Sequence, residues 1–176
     1  MCSAWTDLIT TDRLRLRPLQ PADAGRIAEL ADDAGLARMT AALPHPYTLA
    51  DARAFLEMQR DPLSPERNFA IDLHGEGLVG VIGFRPGAAA PWPELGYWLG
   101  RPYWGAGLAT EAASGALLWV ARGWGKRAVT AGHFADNPAS GRVLEKAGFL
   151  YTGDREPYRS VARAGSAESR RMIWLA

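Results

Sequence analysis

The sequence predicts a single domain, residues 1–176, of the mixed α/β (α+β) class. Helices are expected to flank a mostly antiparallel, twisted sheet of about six or seven strands. Three patterns support this prediction. Residues 13–17 alternate polar and apolar side chains, which is the period of a half-buried strand. Residues 68–84 hold two apolar runs around a Gly-Glu-Gly turn, as in a β-hairpin. Residues 107–122 carry alanine and valine at helical spacing.

Proline and a capping pair mark where the first two helices begin. Pro21 predicts a helix over about 21–31, because proline fits the first helical turn. Thr48 is followed three residues later by Asp51, which resembles a capping box and predicts a helix over about 48–60.

Helices and strands alternate in the second half of the chain. The longest predicted helix covers 107–122, and Gly123 is its predicted left-handed stop. Asn137 caps a shorter helix that begins at Pro138 and ends at Gly148. The remaining predicted strands are 94–99, 127–134, 149–158 and 171–175, and residues 86–93 are predicted as a loop.

The composition argues against several classes of function. A net charge of +1 provides no field for nucleic acid or an anionic membrane. No apolar run approaches the ~18 residues that a membrane span needs. Cys2 is the only cysteine, so no internal disulfide or zinc cluster is expected, and we expect no bound metal. Residues 1–11 lack the pattern of a secretory signal, so we expect a cytoplasmic protein.

A glycine-rich turn at 103–112 carries the clearest chemical signal. A strand leads into Gly105 and Gly107, and a helix follows at once. Glycines there let the backbone approach a ligand, and the free amides of a helix start suit a pyrophosphate. A Walker loop is excluded because Lys and Ser or Thr do not follow Gly107. A Rossmann turn is excluded because Thr110 stands where its third glycine belongs. Glycines used only for packing remain the alternative.

A second segment, Asn137 to Phe149, follows after one helix and one strand. This pair of segments resembles the GNAT superfamily of acetyltransferases, and in particular the branch of ribosomal-protein N-terminal (alanine/serine) acetyltransferases. Residues 11–19, 96–99 and 102–105 are similar to that branch as well. The resemblance therefore spans nearly the whole chain. It implies a GNAT-like sheet whose fourth and fifth strands splay apart around acetyl-CoA.

The resemblance also implies which residues hold the cofactor. Asn137 would bind the pantetheine amide, Ser140 would lie near the sulfur, and Arg142 and Lys146 are candidates for the 3′-phosphate. The backbone of Tyr97, Trp98 and Leu99 would pair with pantetheine. The pyrophosphate would be held by the amides of Trp104, Gly105, Ala106, Gly107, Leu108, Ala109 and Thr110. The chain departs from the wider family pattern at Pro102, where Gln or Arg is frequent.

The implied reaction needs few protein groups. An amine attacks the thioester directly in a ternary complex, so a base must take its proton and an acid must protonate the thiolate. The candidate bases are Glu94, acting through water as in related enzymes, His133, and Asp136, which more simply serves the helix start. The candidate acids are Ser140 and Tyr151. An amide near Trp98 or Leu99 would stabilise the oxyanion.

The acceptor and the assembly stay open at this stage. The acceptor is a primary amine, either a protein N-terminus or a small amine, and a homodimer is an alternative to a monomer. The rival function is a non-catalytic CoA-binding domain that acts as a sensor or in protein interaction. Such a domain would keep the glycine turn and Asn137 without turning over any amine.

Overall fold

A computed structural model describes residues 8–61, 63–87 and 91–176 as one open sheet with helices on both faces. The strands are β1 (Ile9–Thr10), β2 (Leu14–Pro18), β3 (Arg67–Leu73), β4 (Gly77–Pro86), β5 (Pro93–Leu99), β6 (Ala128–Phe134), β7 (Leu150–Ser160) and β8 (Gly165–Leu175). The helices are α1 (Ala24–Ala31), α2 (Ala34–Arg38), α3 (Leu49–Met58), α4 (Leu108–Trp119) and α5 (Pro138–Lys146). Cys2, most of the segment tested for a signal, and part of the predicted 86–93 loop lie outside the described residues.

The sheet runs in the order β1-β2-β3-β4-β5-β6-β8-β7 and is antiparallel except between β5 and β6. These two strands are parallel and share a single registered pair, Glu94 with Thr130. Beyond that pair β5 and β6 diverge. They are the fourth and fifth strands predicted from the sequence, so the predicted splay between those strands is confirmed. The mixed α/β class is confirmed too, with eight strands among the described residues where about six or seven were predicted.

Apolar periodicity places one core on each face of the sheet. In β2 the alternation buries Leu14 and Leu16 completely, as the pattern predicts. Helices α4 and α5 cover this face, where Phe84 and Phe149 are among the largest buried side chains. Helices α1 and α3 cover the other face through a second core that includes Ile27. Two helical layers therefore leave the gap between β5 and β6 as the route through the sheet.

Local signals fix several helix boundaries as predicted. Thr48 and Asp51 form the capping box of α3, in which Thr48 Oγ1 accepts from the Asp51 amide at 3.2 Å and the Thr48 amide donates to Asp51 Oδ2 at 2.8 Å. Asn137 caps α5 by accepting from the Ser140 amide at 3.2 Å. No helix among the described residues has the length and apolar character of a membrane span.

The predicted stop of the long helix at Gly123 is wrong. Helix α4 continues through a π-helical turn, Val120–Trp124, and Gly125 provides the left-handed residue with φ of 68°. Gly123 serves packing instead, because a Cβ there would lie 3.1 Å from the indole of Trp119. A glycine near a helix end is therefore a stop or a packing site, and the sequence pattern does not distinguish them.

Short elements also escaped prediction. The two-residue β1 and five-residue α2 are too short to show periodicity, although Asp33 caps α2 by accepting from the Leu36 amide. Strand β8 begins at Gly165, six residues before the predicted start at 171, because Gly165 already pairs with Ser160 of β7. The C-terminal hairpin is therefore longer than its apolar pattern indicates.

Candidate active site

The glycine turn exposes the start of α4. Gly105 and Gly107 both have φ of 78°, a conformation that L side chains rarely adopt. Gly107 is the N-cap of α4, and its carbonyl accepts the first helical hydrogen bond, from the Glu111 amide at 3.1 Å. The amides of Leu108, Ala109 and Thr110 precede that bond, so they are free helix-start donors. The turn therefore has the geometry that a pyrophosphate requires.

A set of hydrogen bonds that was not predicted from the sequence holds this turn in place. Glu111, in the first turn of α4, accepts from the Thr11 hydroxyl at 2.6 Å and from the Arg13 amide at 2.8 Å. The Arg13 side chain binds Glu111 Oε2 at 2.7 Å and donates to the Ala106 carbonyl at 2.9 Å. Burial would raise the pKa of Glu111, but these hydrogen bonds outweigh it and lower that pKa. No local sequence pattern indicates that Glu111 pairs with Thr11 and Arg13, which are 100 and 98 positions away.

A second contact ties the turn to α2. Arg101 binds Asp33 in a bidentate pair at 2.6 and 2.7 Å, and its guanidinium lies 4.7 Å from the centre of the Trp104 ring. The indole of Trp104 in turn donates to the Leu99 carbonyl at 2.7 Å. The end of β5 and the glycine turn are thus joined directly.

The edge of β5 that faces the gap carries free backbone groups. The Gly100 amide donates to the Val79 carbonyl of β4 at 2.9 Å. Since bonding alternates along an antiparallel pair, Trp98 directs its backbone groups toward β4, whereas Tyr97 and Leu99 direct theirs into the gap. Of the three residues predicted to pair with pantetheine, Tyr97 and Leu99 therefore offer backbone groups. Trp98 packs instead on the core formed by α1 and α3.

Ser140, in the first turn of α5, meets the side chain of Tyr97 across the gap. The Tyr97 hydroxyl lies 2.8 Å from Ser140 Oγ and 3.4 Å from the Ser140 carbonyl oxygen. Burial raises the pKa of Tyr97 to about 12, and the hydrogen bond with Ser140 offsets only part of this effect. Tyr97 therefore keeps its proton near neutral pH, and either of the two hydroxyls can be the donor in this pair.

His133 and Tyr151 form a separate pair beneath α5. His133 Nδ1 lies 2.9 Å from the Phe134 carbonyl, which only accepts, so Nδ1 carries the proton. His133 Nε2 then accepts from the Tyr151 hydroxyl at 3.0 Å. A Cβ at Gly141 would lie 2.8 Å from both of these atoms, so glycine is required there. Both nitrogens of the candidate base His133 are thus engaged.

Glu94 lies at the end of the gap, buried to all but 4% of its surface. Its Oε1 accepts from Arg171 at 3.1 Å, from Arg85 at 3.2 Å and from the Tyr158 hydroxyl at 3.5 Å. Its Oε2 has no hydrogen bond from any residue that the structure describes. The three partners were not predicted. The hairpin pattern holds a signal for one of them, because Arg85 and Glu94 lie opposite each other when β4 and β5 pair.

A cavity of about 490 Å³ opens from the gap on the face covered by α3. The cavity is lined by five predicted site residues, namely Glu94, Tyr97, Trp98, His133 and Ser140, so the structure brings these residues to one space. Glycines of three adjacent strands form part of its wall, namely Gly83, Gly96 and Gly132. Its roof is the 39–44 segment. The turn between β7 and β8 fixes this roof, since Ser160 Oγ donates to the Thr40 carbonyl at 2.9 Å.

The other predicted residues lie outside this space. Tyr151 and Asp136 do not line the cavity, and the Asp136 carboxylate is bound by Arg163 at 2.8 Å. Arg142 and Lys146 are exposed on α5, four residues apart and so on one face of the helix. No three His, Cys, Asp or Glu side chains group as a metal site within 8–61, 63–87 and 91–176.

Comparison with protein families decides the relationship. Residues 13–150 match the family described as an acetyltransferase (GNAT) domain. The chain belongs to the GNAT acetyltransferase family. The predicted family is thereby confirmed, and with it the enzyme class, an acetyl-CoA-dependent N-acetyltransferase. No curated protein sequence matches the chain.

Solved GNAT structures share the fold over nearly the full chain. A GNAT acetyltransferase from Bacillus anthracis has a TM-score of 0.83 at 23% identity, covering 96% of this chain and 98% of its own. A ribosomal L7/L12 α-N-protein acetyltransferase, RimL, in complex with coenzyme A has a TM-score of 0.81 at 17% identity, with coverages of 96% and 98%. Spermidine N-acetyltransferase from Vibrio cholerae, in complex with CoA and spermine, has a TM-score of 0.77 at 18% identity, with coverages of 94% and 96%. At these identities the likeness establishes the fold.

Proposed function

We propose that this GNAT enzyme transfers an acetyl group from acetyl-CoA to a primary amine by direct attack within a ternary complex. One observation carries the proposal. The gap between β5 and β6 has the phosphate-binding turn of α4 at one end and the cavity with Glu94 at the other. A thioester lying in this gap would meet an amine held in the cavity. Acetyl-CoA supplies the activated acetyl group, and the chain supplies position, a base and an acid.

The donor side uses backbone groups of the chain. The amides that begin α4 would bind the pyrophosphate, because they are unpaired and lie at the positive end of a helix dipole. The backbone groups of Tyr97 and the amide of Leu99 would pair with the pantetheine arm, as an edge strand pairs with a peptide, whereas the Leu99 carbonyl already accepts from Trp104. Asn137 would bind the pantetheine amide, and Arg142 and Lys146 are candidates for the 3′-phosphate. The Leu99 amide is the donor that faces the gap where an oxyanion would form.

Ser140 is the better placed of the two candidate acids. It lines the cavity, and Tyr97 can donate to its Oγ at 2.8 Å, in which case the Ser140 proton is available to a thiolate. The proton of Tyr151 is instead donated to His133. Since an unperturbed thiol has a pKa near ~8.5, a hydroxyl that only stabilises the thiolate already helps it to leave.

Glu94 is the better placed of the candidate bases. Its Oε2 accepts from no described residue, whereas both ring nitrogens of His133 are engaged and Asp136 binds Arg163. A water between Oε2 and the acceptor amine would carry the proton, because Glu94 lies at the floor of the cavity. The two neighbouring arginines hold the carboxylate in place through Oε1.

Two measurements test this function. Titration calorimetry should show saturable binding of acetyl-CoA and CoA, and neither ATP nor NAD should compete. Thiol release from acetyl-CoA should then depend on an added primary amine, with the acetylated amine as product. An acetylated form of the enzyme that accumulates without amine and transfers its acetyl group on amine addition would refute direct attack. Saturable CoA binding with no turnover of any amine would favour the non-catalytic sensor.

A further inference from the structure

The polar end of the cavity leaves two hydrogen-bonding sites unused. Arg85 donates through Nη2 alone, to Glu94 and to Tyr158, and its Nε and Nη1 have no partner among the residues that the structure describes. Glu94 accepts through Oε1 alone. Both residues line the cavity, and they are directly opposite each other across β4 and β5. Two facing residues of the cavity wall therefore have unused hydrogen-bonding atoms, donors on Arg85 and an acceptor on Glu94.

Charged groups of both signs meet at this end of the cavity. Two guanidiniums, of Arg85 and Arg171, converge on the one buried carboxylate of Glu94. Two further carboxylates compensate them only partly. Glu156 binds Arg171 Nε at 3.2 Å from a half-exposed position, and Glu66 is engaged by Asn68 at 3.0 Å. Arg85 is therefore the charged group beside Glu94 that still has donors without a partner among the described residues.

The opposite end of the cavity is apolar. It is lined by Met39, Leu43, Tyr47, Phe55 and Met58, which come from the 39–47 segment and from α3. Asp51 lies at this end too, but it is only partly buried and is bound within the capping box of α3. A bound molecule would place its polar groups toward Glu94 and Arg85 and its apolar part under the roof.

Resting on the proposed acetyl transfer, we infer that the acceptor is an amine with a carboxylate on the neighbouring carbon and an apolar side chain, as in an apolar α-amino acid. Glu94 Oε2 accepts from the amine, directly or through water, while one unused N–H of Arg85, from Nε or Nη1, donates to the carboxylate. A hydrogen bond between two charged groups is stronger than one between neutral groups. A polyamine would instead bring additional cations against Arg85 and Arg171, and a peptide N-terminus would offer a neutral carbonyl where the site presents a guanidinium.

Matched acceptors test this inference. L-Phenylalanine, L-methionine and L-leucine are compared with their amides, with the corresponding amines that lack the carboxyl group, with dipeptides and with spermidine. We expect kcat/KM for each free acid to exceed that of its amide by about 10- to 100-fold, the effect of one charged hydrogen-bonded contact. Arg85→Gln should abolish this preference, lowering kcat/KM for the acids by more than for the decarboxylated amines, which lose only the support that Arg85 gives to Glu94. Arg85→Lys should keep part of it.

The control and the contrary outcomes are distinct. Arg155→Gln removes an exposed arginine of the C-terminal hairpin that does not line the cavity, so it should leave the preference unchanged. Thermal unfolding and CoA binding of each variant establish that it is folded. A preference for amides, dipeptides or spermidine over the acids, or an acid preference that survives Arg85→Gln, overturns the inference and leaves acetyl transfer intact. If no amine is acetylated although CoA binds, the proposed function fails first and the inference with it.

Discussion

The position of the pyrophosphate can be tested by placing a charge at Gly107. Gly107 lies in the left-handed region with φ of 78°, and a Cβ there would meet only the Arg13 guanidinium, at 3.6 Å. Asn and Asp have similar size, and both tolerate this conformation better than other L residues. Gly107→Asn and Gly107→Asp therefore share the same small backbone cost and differ in charge alone.

The size of the charge effect follows from Coulomb's law. A carboxylate about 5 Å from one phosphate charge, at an effective dielectric constant of about 20, costs about 3 kcal/mol. That energy corresponds to about a 100-fold weaker Kd for CoA. The difference should shrink as salt is added, because the turn is exposed and its charges are screened.

Titration calorimetry of CoA against both variants at low and moderate salt measures this difference. Gly75→Asn and Gly75→Asp provide the matched control, because Gly75 has φ of 84° in the β3–β4 turn with no atom within 4 Å of its Cβ position. These two should bind CoA with equal affinity. Equal affinities for the two Gly107 variants would refute the reasoning, since the pyrophosphate would then lie elsewhere.

Three further predictions follow from contacts around the site. Tyr97→Phe should lower kcat about fivefold, the value of a ~1 kcal/mol hydrogen bond, with unchanged acetyl-CoA affinity. If Tyr97 acts through Ser140, the double variant with Tyr97→Phe and Ser140→Ala should have the same kcat as Ser140→Ala alone. Gly96→Val should raise the acceptor KM by about tenfold, or ~1.4 kcal/mol, without lowering Tm or CoA affinity, because its Cβ position meets no atom within 4 Å and opens on the cavity. Unchanged acceptor kinetics would place the acceptor elsewhere. Asp33 is bound first by Arg101, which holds the pKa of Asp33 well below its ordinary value against the opposing effect of burial. The stabilisation from its charged form is present above about pH 4 and is lost as pH falls through the lower folded pKa. Asp33→Asn should therefore flatten the fall of Tm between about pH 4 and pH 2, and a curve parallel to that of the parent would contradict this origin.

Local patterns predicted the parts of the fold that depend on neighbouring residues. The alternation of β2, the capping boxes and caps, and the glycine turn before α4 all formed as expected, because each depends on a few consecutive residues. The family resemblance supplied the splay of β5 and β6, which no local pattern encodes. Helix α2 was missed because five residues are too few to show periodicity, and the true end of α4 because a glycine that packs on Trp119 looks the same in the sequence as one that ends a helix.

The sequence predicted which residues form the candidate site better than it predicted the hydrogen bonds and ion pairs between them. Glu94, Tyr97 and Ser140 line one cavity, yet the sequence gives no indication that Arg171 binds Glu94 or that Arg13 braces Glu111. Such pairs join residues that are tens of positions apart, and their partners are set by the register of distant strands. The roles of Glu94 and Ser140, the cytoplasmic location and the homodimer stay predictions.

The single registered pair between β5 and β6 has a consequence for the stability of the folded protein. Because the two strands share so little pairing, the sheet consists of a five-strand part, β1 to β5, and a three-strand part, β6, β8 and β7. The pantetheine arm of CoA would connect these two parts where backbone hydrogen bonds between β5 and β6 are lacking, and so would stabilise the sheet. Ligand at 100 times its Kd adds about 2.7 kcal/mol of stability by mass action. We therefore expect the cellular supply of acetyl-CoA to set the lifetime of the folded enzyme as well as its rate.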